Sequence, residues 1–176
     1  LGIDGVRFQR EYRRFYPAGA VAAHVVGMTD VDDGGQEGVE LAMDDALRGA
    51  PGSKRVLRDR RGRTVRDLDY FKAPDLGDDV ELSIDLRLQF QAYRELLASV
   101  QHHDAESGSL VAIEVKTGEV LALVNAPSYN PNDDADRVFA AMRNRVITDI
   151  YEPGSTVKPF AALAALESGA FDSETE

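Results

Sequence analysis

Hydrophobic positions give their strongest strand signals in two short apolar runs rich in Val, Leu and Ile, SLVAIEV at 109–115 and EVLALVNA at 119–126. Lys116-Thr117-Gly118 lies between them and predicts a tight connection, so the pair reads as an antiparallel hairpin. A helical period takes over upstream. Leu86, Phe90, Tyr93, Leu97 and Val100 form one apolar face behind Asp85, a capping residue type, and predict a helix running to about Gln101. Val39, Met43, Ala46 and Leu47 predict a shorter helix stopped by Gly49. AGAVAAHVVGMTDVDDGG, 18–35, reads as a strand through the β-branched Val25 and Val26 that enters a turn at Asp32-Asp33-Gly34-Gly35. KRVLRDRRGRTVRDLDYF, 54–71, predicts two strands about a turn at Arg61-Gly62, charged enough that one face is solvated. Late in the chain APSYNPNDDADR reads as a loop and RVFAAMRNRVI as a helix. A last helix is expected to start at or beside Ser155, after the Pro153-Gly154 break, and to run to Gly169.

The pattern changes character near residue 80. Short segments punctuated by Arg and Gly precede it, longer and more apolar elements follow, and Pro74 and Gly77 supply a linker or domain edge. With 176 residues, 43% of them hydrophobic, one ordinary domain or two small ones can be filled. Asp and Glu outnumber Lys and Arg by 31 to 20, and that surplus repels phosphate backbones, so non-specific nucleic-acid binding is excluded. The absence of cysteine removes disulfides, thiol nucleophiles and cysteine-bearing zinc sites. AVAAHVVGM and FAALAAL fall short of the roughly 20 residues that span a bilayer, and LGIDGVRFQREYRR has no apolar leader core. The opening reads as the interior of a longer protein.

Chemistry concentrates in DIYEPGSTVKPFAALAALESGA, 149–170. Three residues apart on a helix, Ser155 and Lys158 share a face with Cβ atoms roughly 5 to 6 Å apart, which brings a hydroxyl and an amine within hydrogen-bond reach. A serine hydroxyl needs a neighbour to take its proton, and a neutral lysine can serve. An ordinary lysine titrates near 10.4, so base chemistry at pH 7 costs roughly 4 kcal/mol, of which a helix N-terminus supplies at most about 2. Desolvation or nearby cations must provide the rest. Pro159 has no N–H for the carbonyl of Ser155, so the opening turn is expected to tighten or kink. Serine caps followed by a lysine are common, and the spacing alone has a purely structural explanation.

The surroundings extend the pattern. YEPGSTVKPF resembles the acylation motif of the penicillin-binding proteins, and RRFYPAGAVAAHVVG, GVELAMDDALRG, DRRGR, LSIDLRLQ, VKTGEVLALVNAPSYNPN and MRNRVITDIYEPGSTVKPF follow in the order expected of class B, monofunctional enzymes of the division-specific, penicillin-binding protein 3 type. The resemblance covers nearly the whole chain. It implies an α+β fold: part of an elongated pedestal, or dimerisation, domain over 1–80, then the N-terminal portion of a β-lactamase/transpeptidase-like domain over 81–176. It implies Ser155 as nucleophile and Lys158 as general base in a peptidoglycan D,D-transpeptidase that cross-links stem peptides during septal wall synthesis through an acyl-enzyme and is the target of β-lactams. No cofactor and no metal are implied. Partners would be peptidoglycan stem peptides, β-lactams and division-complex proteins including a SEDS-type glycosyltransferase, on the periplasmic side of the bacterial inner membrane, held by an N-terminal transmembrane helix outside this chain.

The family also needs an S-x-N triad and a K-[ST]-G strand downstream of the nucleophile, and neither follows Ser155 here. Lys116-Thr117-Gly118 spells the second motif but precedes Ser155 and is read as a turn. The expectation is a fragment carrying the dyad without a complete site, inactive alone, with exposed strand edges that favour oligomerisation or strand exchange. The alternative is a non-catalytic pedestal module engaging division-complex partners. Another Ser-Lys hydrolase or a penicillin sensor is disfavoured by the upstream motifs. His24 reads as a packed strand residue and His102-His103 as an exposed helix end, GAPGSKR lacks phosphate-loop spacing, and DRRGR reads as a solvated turn.

Overall fold

Local pattern and long-range hydrogen bonding divide the work of shaping this chain. The structure, a computed structural model, describes residues 13–172, 174 and 175, and the opening LGIDGVRFQREY lies outside them. In order, the elements are a 3-10 turn at Gly19–Val21, α1 (Ala23–Val26), α2 (Gly38–Ala42), α3 (Asp44–Leu47), β1 (Ser53–Arg58), β2 (Thr64–Lys72), α4 (Leu86–His102), β3 (Gly108–Ile113), β4 (Val120–Ala126), a 3-10 turn at Asp134–Asp136, α5 (Phe139–Met142), α6 (Arg145–Thr148), a 3-10 turn at Gly154–Val157 and α7 (Lys158–Glu167). The strands form two separate antiparallel ribbons, β1–β2 and β3–β4.

β3 and β4 pair as the expected hairpin, with Leu110 opposite Val124 and Ala112 opposite Ala122. Gly118, at φ +79°, makes the turn. α4 lies across this ribbon. Its first turn is capped by Asp85, whose carboxylate accepts from the backbone N–H of Arg87 and Leu88, while Asp85 N–H donates to Leu121 O at 3.0 Å. Ala92 meets Ala122 and Val124, flanked by Tyr93, Leu96, Leu110 and Ala112. Tyr93, Leu97 and Val100 are half-buried as expected, and the packed face departs from the expected one at its N-terminal end. Leu86 and Phe90 are more than half exposed, and the buried position in their turn is Gln89. The cause is geometric, because the Gln89 amide completes the ribbon's unpaired edge: Nε2 donates to Leu123 O at 2.8 Å and Oε1 accepts from Leu123 N at 2.8 Å. Nε2 also donates to Val21 O at 2.7 Å, so one side chain sets the helix rotation and ties down the N-terminal segment.

That segment is not the strand expected through Val25 and Val26. It runs through a 3-10 turn into α1, and Gly27, at φ +80°, ends it. A Cβ on Gly27 would meet Glu37 O at 1.8 Å, so the two backbones cross where no other residue fits. Ala22 and Ala23 are buried, and β-branching at the two valines yields to this packing. The next helix also departs from one continuous piece, because Met43, at φ −117° and ψ 22°, separates α2 from α3. RVFAAMRNRVI similarly divides into α5 and α6 at Arg143 and Asn144.

The β1–β2 ribbon rises from a neck where Ala50 and Asp75 exchange backbone hydrogen bonds of 2.8 and 2.9 Å. It turns at Gly62, φ +77°, over Asp59, whose carboxylate accepts from the N–H groups of Arg61 and Arg63 and pairs with the Arg63 guanidinium at 2.7 Å. Both faces are solvated rather than one: Leu57, Val65, Leu68 and Phe71 are all exposed.

Loop 127–137 returns over the N-terminal segment. Although its Pro, Asn and Asp content marks a surface connection, Tyr129 is 0% exposed. Burial pushes the Tyr129 phenol up to about 12. His24 meets the Tyr129 ring edge-on at 5.6 Å and its Nε2 hydrogen-bonds Ala141 O at 2.8 Å; it is packed, but on a helical turn and not a strand.

Gln89→Leu keeps the bulk and deletes the amide, leaving Leu123 N–H, Leu123 O and Val21 O without that partner. We expect a loss of about 3 kcal/mol in urea unfolding, against under about 1 kcal/mol for Phe90→Ala. The reverse ranking would restore the helix face read from periodicity. Burial lowers the pKa of His24 below its ordinary 6.5, opposed by the Ala141 hydrogen bond and assisted by Arg145. The native state then binds fewer protons than the unfolded chain, so this stabilisation is complete above about pH 6.5 and is lost as pH falls through the lowered value. Urea midpoints between about pH 7.5 and 5.5 should fall on acidification, with a shallower slope in His24→Gln.

Candidate active site

The approach to Ser155 is pinned at Asp149, which pairs with Arg143 at 2.7 Å and lies 4.0 Å from Arg145. Beyond it Ile150 and Tyr151 are exposed. Gly154 adopts φ +59°, a left-handed conformation that glycine takes without a Cβ penalty, and begins the 3-10 turn holding Ser155. Lys158 N–H donates to Ser155 O across that turn. The tightening expected from Pro159 is therefore present: an i to i+3 bond replaces the i+4 bond that proline cannot make. The consequence corrects the expected helix start. α7 begins at Lys158 and Ser155 lies in the preceding turn, with no side-chain cap hydrogen bond. In a 3-10 turn residues three apart eclipse, so Ser155 and Lys158 stand on the same side of the chain at the positive end of a ten-residue helix.

The side chains do not complete the contact. Ser155 Oγ and Lys158 Nζ make no hydrogen bond or ion pair among the described residues, and both residues are exposed. α7 leaves Phe160, Leu163 and Leu166 exposed. The water exclusion that would disfavour an ammonium is thus not supplied at this turn by the described residues. Lys116-Thr117-Gly118 sits in the β3–β4 turn, where Thr117 Oγ1 donates to Glu119 Oε2 at 2.9 Å and Lys116 N–H donates to Glu114 Oε1 at 3.3 Å. These bonds account for the tripeptide as a turn. His102 ends α4 with His103 just beyond it, their rings edge-on at 4.8 Å. Among the described residues no group of three or more His, Cys, Asp or Glu is placed to hold a metal ion.

Periodicity missed the residues that support the approach to this turn. Asn125 is buried at the end of β4: its Oδ1 accepts from Ser109 Oγ at 2.7 Å and from Val146 N–H at 3.0 Å, while Nδ2 donates to Asn144 Oδ1 at 3.0 Å. Asn144 Nδ2 passes the connection to His24 O at 3.0 Å. Asn132 pairs with Tyr16 in the manner of a strand, accepting from Tyr16 N–H and donating to Tyr16 O, both at 2.9 Å. The signal was a polar residue inside an otherwise apolar strand and an asparagine-rich loop, each of which points to buried polar chemistry only once its distant partner is known.

Comparison with known proteins agrees along the whole length. Residues 2–82 match the family described as Penicillin-binding Protein dimerisation domain, and residues 108–176 match Penicillin binding protein transpeptidase domain. The probable peptidoglycan D,D-transpeptidase PenA of Neisseria meningitidis is 46% identical over 174 residues, which is 98% of this chain and 30% of that protein. Peptidoglycan D,D-transpeptidase FtsI of Escherichia coli is 48% identical over 169 residues, 96% of this chain and 29% of that protein. Penicillin binding protein 3 of Mycobacterium tuberculosis, in its apo form, superposes with a TM-score of 0.71 at 33% identity, covering 88% of this chain and 31% of that one. The chain thus spans about 30% of the length of the curated relatives it matches. No helix among the described residues is long and apolar enough to cross a membrane. With a dimerisation-domain match followed by a partial transpeptidase-domain match, and this identity across nearly all its residues, the chain belongs to the penicillin-binding protein family.

Proposed function

We propose that these residues belong to a peptidoglycan D,D-transpeptidase acting in septal wall synthesis, with Ser155 as nucleophile and Lys158 as general base. One observation carries the site assignment: the Lys158 N–H to Ser155 O bond holds the two residues eclipsed at a helix N-terminus. Ser155 Oγ attacks the carbonyl of the D-Ala-D-Ala peptide bond as Lys158 takes its proton, and the dipole of α7 favours the oxyanion that forms. The C–N bond breaks, the amine leaves protonated as D-Ala, and an ester remains on Ser155. An amine of a neighbouring stem peptide then attacks that ester, forming the cross-link and restoring the hydroxyl. A β-lactam carbonyl follows the first step, with ring opening in place of departure of D-Ala.

The exposed turn limits what the described residues do alone. A base lysine needs desolvation and an oxyanion needs donors, and the family supplies these through S-x-N and K-[ST]-G motifs, which do not follow Ser155 in this sequence. On this reading residues up to about 80 are the pedestal portion and engage division-complex proteins, a SEDS-type glycosyltransferase among them, while 81–176 open the transpeptidase domain. The protein works on the periplasmic side of the inner membrane, anchored by a helix outside these residues.

A fluorescent penicillin tests the assignment. The 176-residue chain should remain unlabelled, whereas the complete protein should label one to one and lose labelling by more than about a thousandfold in Ser155→Ala. Undiminished labelling of Ser155→Ala in the complete protein would remove Ser155 as nucleophile. Stoichiometric labelling of the short chain at Ser155 would show that the turn needs no further walls.

A further inference from the structure

Arginine pairing is uneven across the molecule. Outside the β1–β2 ribbon each of the eight described arginines lies in an ion pair, from Arg14, which grips Glu40 with two nitrogens at 2.8 and 2.9 Å, to Arg145 beside Asp149. Inside the ribbon the balance reverses. Residues 53–72 hold eight Lys and Arg against three Asp, in a chain where acids outnumber bases by 31 to 20. Arg63 is paired with Asp59, but Arg55, Arg58, Arg60, Arg61 and Arg66 make no ion pair among the described residues. Carboxylates are abundant, so five free arginines on one projection mark a local positive field that the rest of the chain leaves unneutralised.

The same ribbon carries apolar side chains that nothing covers. Leu57, opposite Arg66 in the register, is 52% exposed and Phe71 is 85% exposed, with Val65 and Leu68 between. Arginine mixed with aromatic and aliphatic residues is the composition of a protein interface core, and guanidinium groups recognise carboxylates by paired hydrogen bonds. Neighbouring positions such as Val65 and Arg66, or Leu68 and Asp69, are exposed, so both faces meet solvent, and among the described residues each strand has the other as its only sheet partner. A flat membrane surface would meet one face. A polypeptide segment can pair with an edge strand and send side chains to both.

We propose that the β1–β2 ribbon is a docking surface for a protein segment that presents carboxylates around an apolar centre. The proposal rests on the reading that the dimerisation-domain portion binds partners, and is independent of Ser155. The free arginines supply attraction and register, Leu57 and Phe71 supply the apolar contact, and the Ala50–Asp75 bridge closes the base of the ribbon.

The 176-residue chain can be titrated into a short fluorescent peptide alternating Glu with Val and Phe, and separately into vesicles of phosphatidylglycerol with phosphatidylcholine, with its own association followed by sedimentation. The peptide should bind, weaken as salt rises, and bind about tenfold or more weakly when Arg58, Arg61 and Arg66 are together changed to Glu. The corresponding Gln variant, with less perturbation of the ribbon, should lose affinity in the same direction. Equal binding by the parent and both variants would overturn the ribbon assignment while leaving partner binding elsewhere intact. Absence of peptide binding would overturn the proposal together with the partner reading at this surface, as would charge-dependent binding to vesicles without the peptide. Charge-dependent self-association that the peptide does not displace would assign the ribbon to a second copy of the chain and overturn it too.

Discussion

Side-chain amides standing in for backbone hold this structure together. β4 has a single strand partner, so its outer edge would leave the N–H and C=O of Leu123 without a ladder; Gln89 answers both from α4 with one amide. Asn132 does the same for Tyr16. Buried polar groups are costly unless satisfied, so these pairings fix a rotation, a register and a distance together. Gln89 also reaches Val21 and Asn144 reaches His24, which joins residues 13–29 to elements about seventy to one hundred and twenty positions later. A segment that precedes the β1–β2 ribbon in sequence is therefore part of the same packed body as α4 and β4.

What periodicity shows, and where it stops, follows from this. β3, β4 and the Asp85 cap are specified by residues within a few positions of one another, and local pattern finds them. Val25 and Val26 favour a strand, but Gly27 crosses the backbone at Glu37 so closely that the chain must turn, a contact across an intervening loop that the pattern at the valines does not show. Gln89 counts as polar and so is assigned outward, which rotates the expected face of α4 onto Leu86 and Phe90. The Ser155 and Lys158 spacing is legible because it is local, as is the effect of Pro159. The supporting asparagines are not legible, since each becomes informative only beside a partner that no local pattern indicates.

The packed body contrasts with two projections. One is the Ser155 turn with α7, where the proposed chemistry lies, and its apolar helix face is exposed. The β1–β2 ribbon carries unpaired guanidinium groups and bare apolar side chains. Both lack the satisfaction that characterises the body, and for the turn the shortfall defines what must be added: desolvation for a lysine and donors for an oxyanion.

Native-state hydrogen exchange tests whether the amide links make one cooperative body. The N–H groups of Leu123, held by Gln89, of Tyr16, held by Asn132, and of Thr29, held by the Tyr16 hydroxyl at 2.8 Å, sample β4 and both ends of the 13–29 segment. The account predicts that all three exchange with the same opening free energy, and that Gln89→Leu lowers all three together. Free exchange at Tyr16 and Thr29 while Leu123 stays protected would show that residues 13–29 open independently and would contradict it.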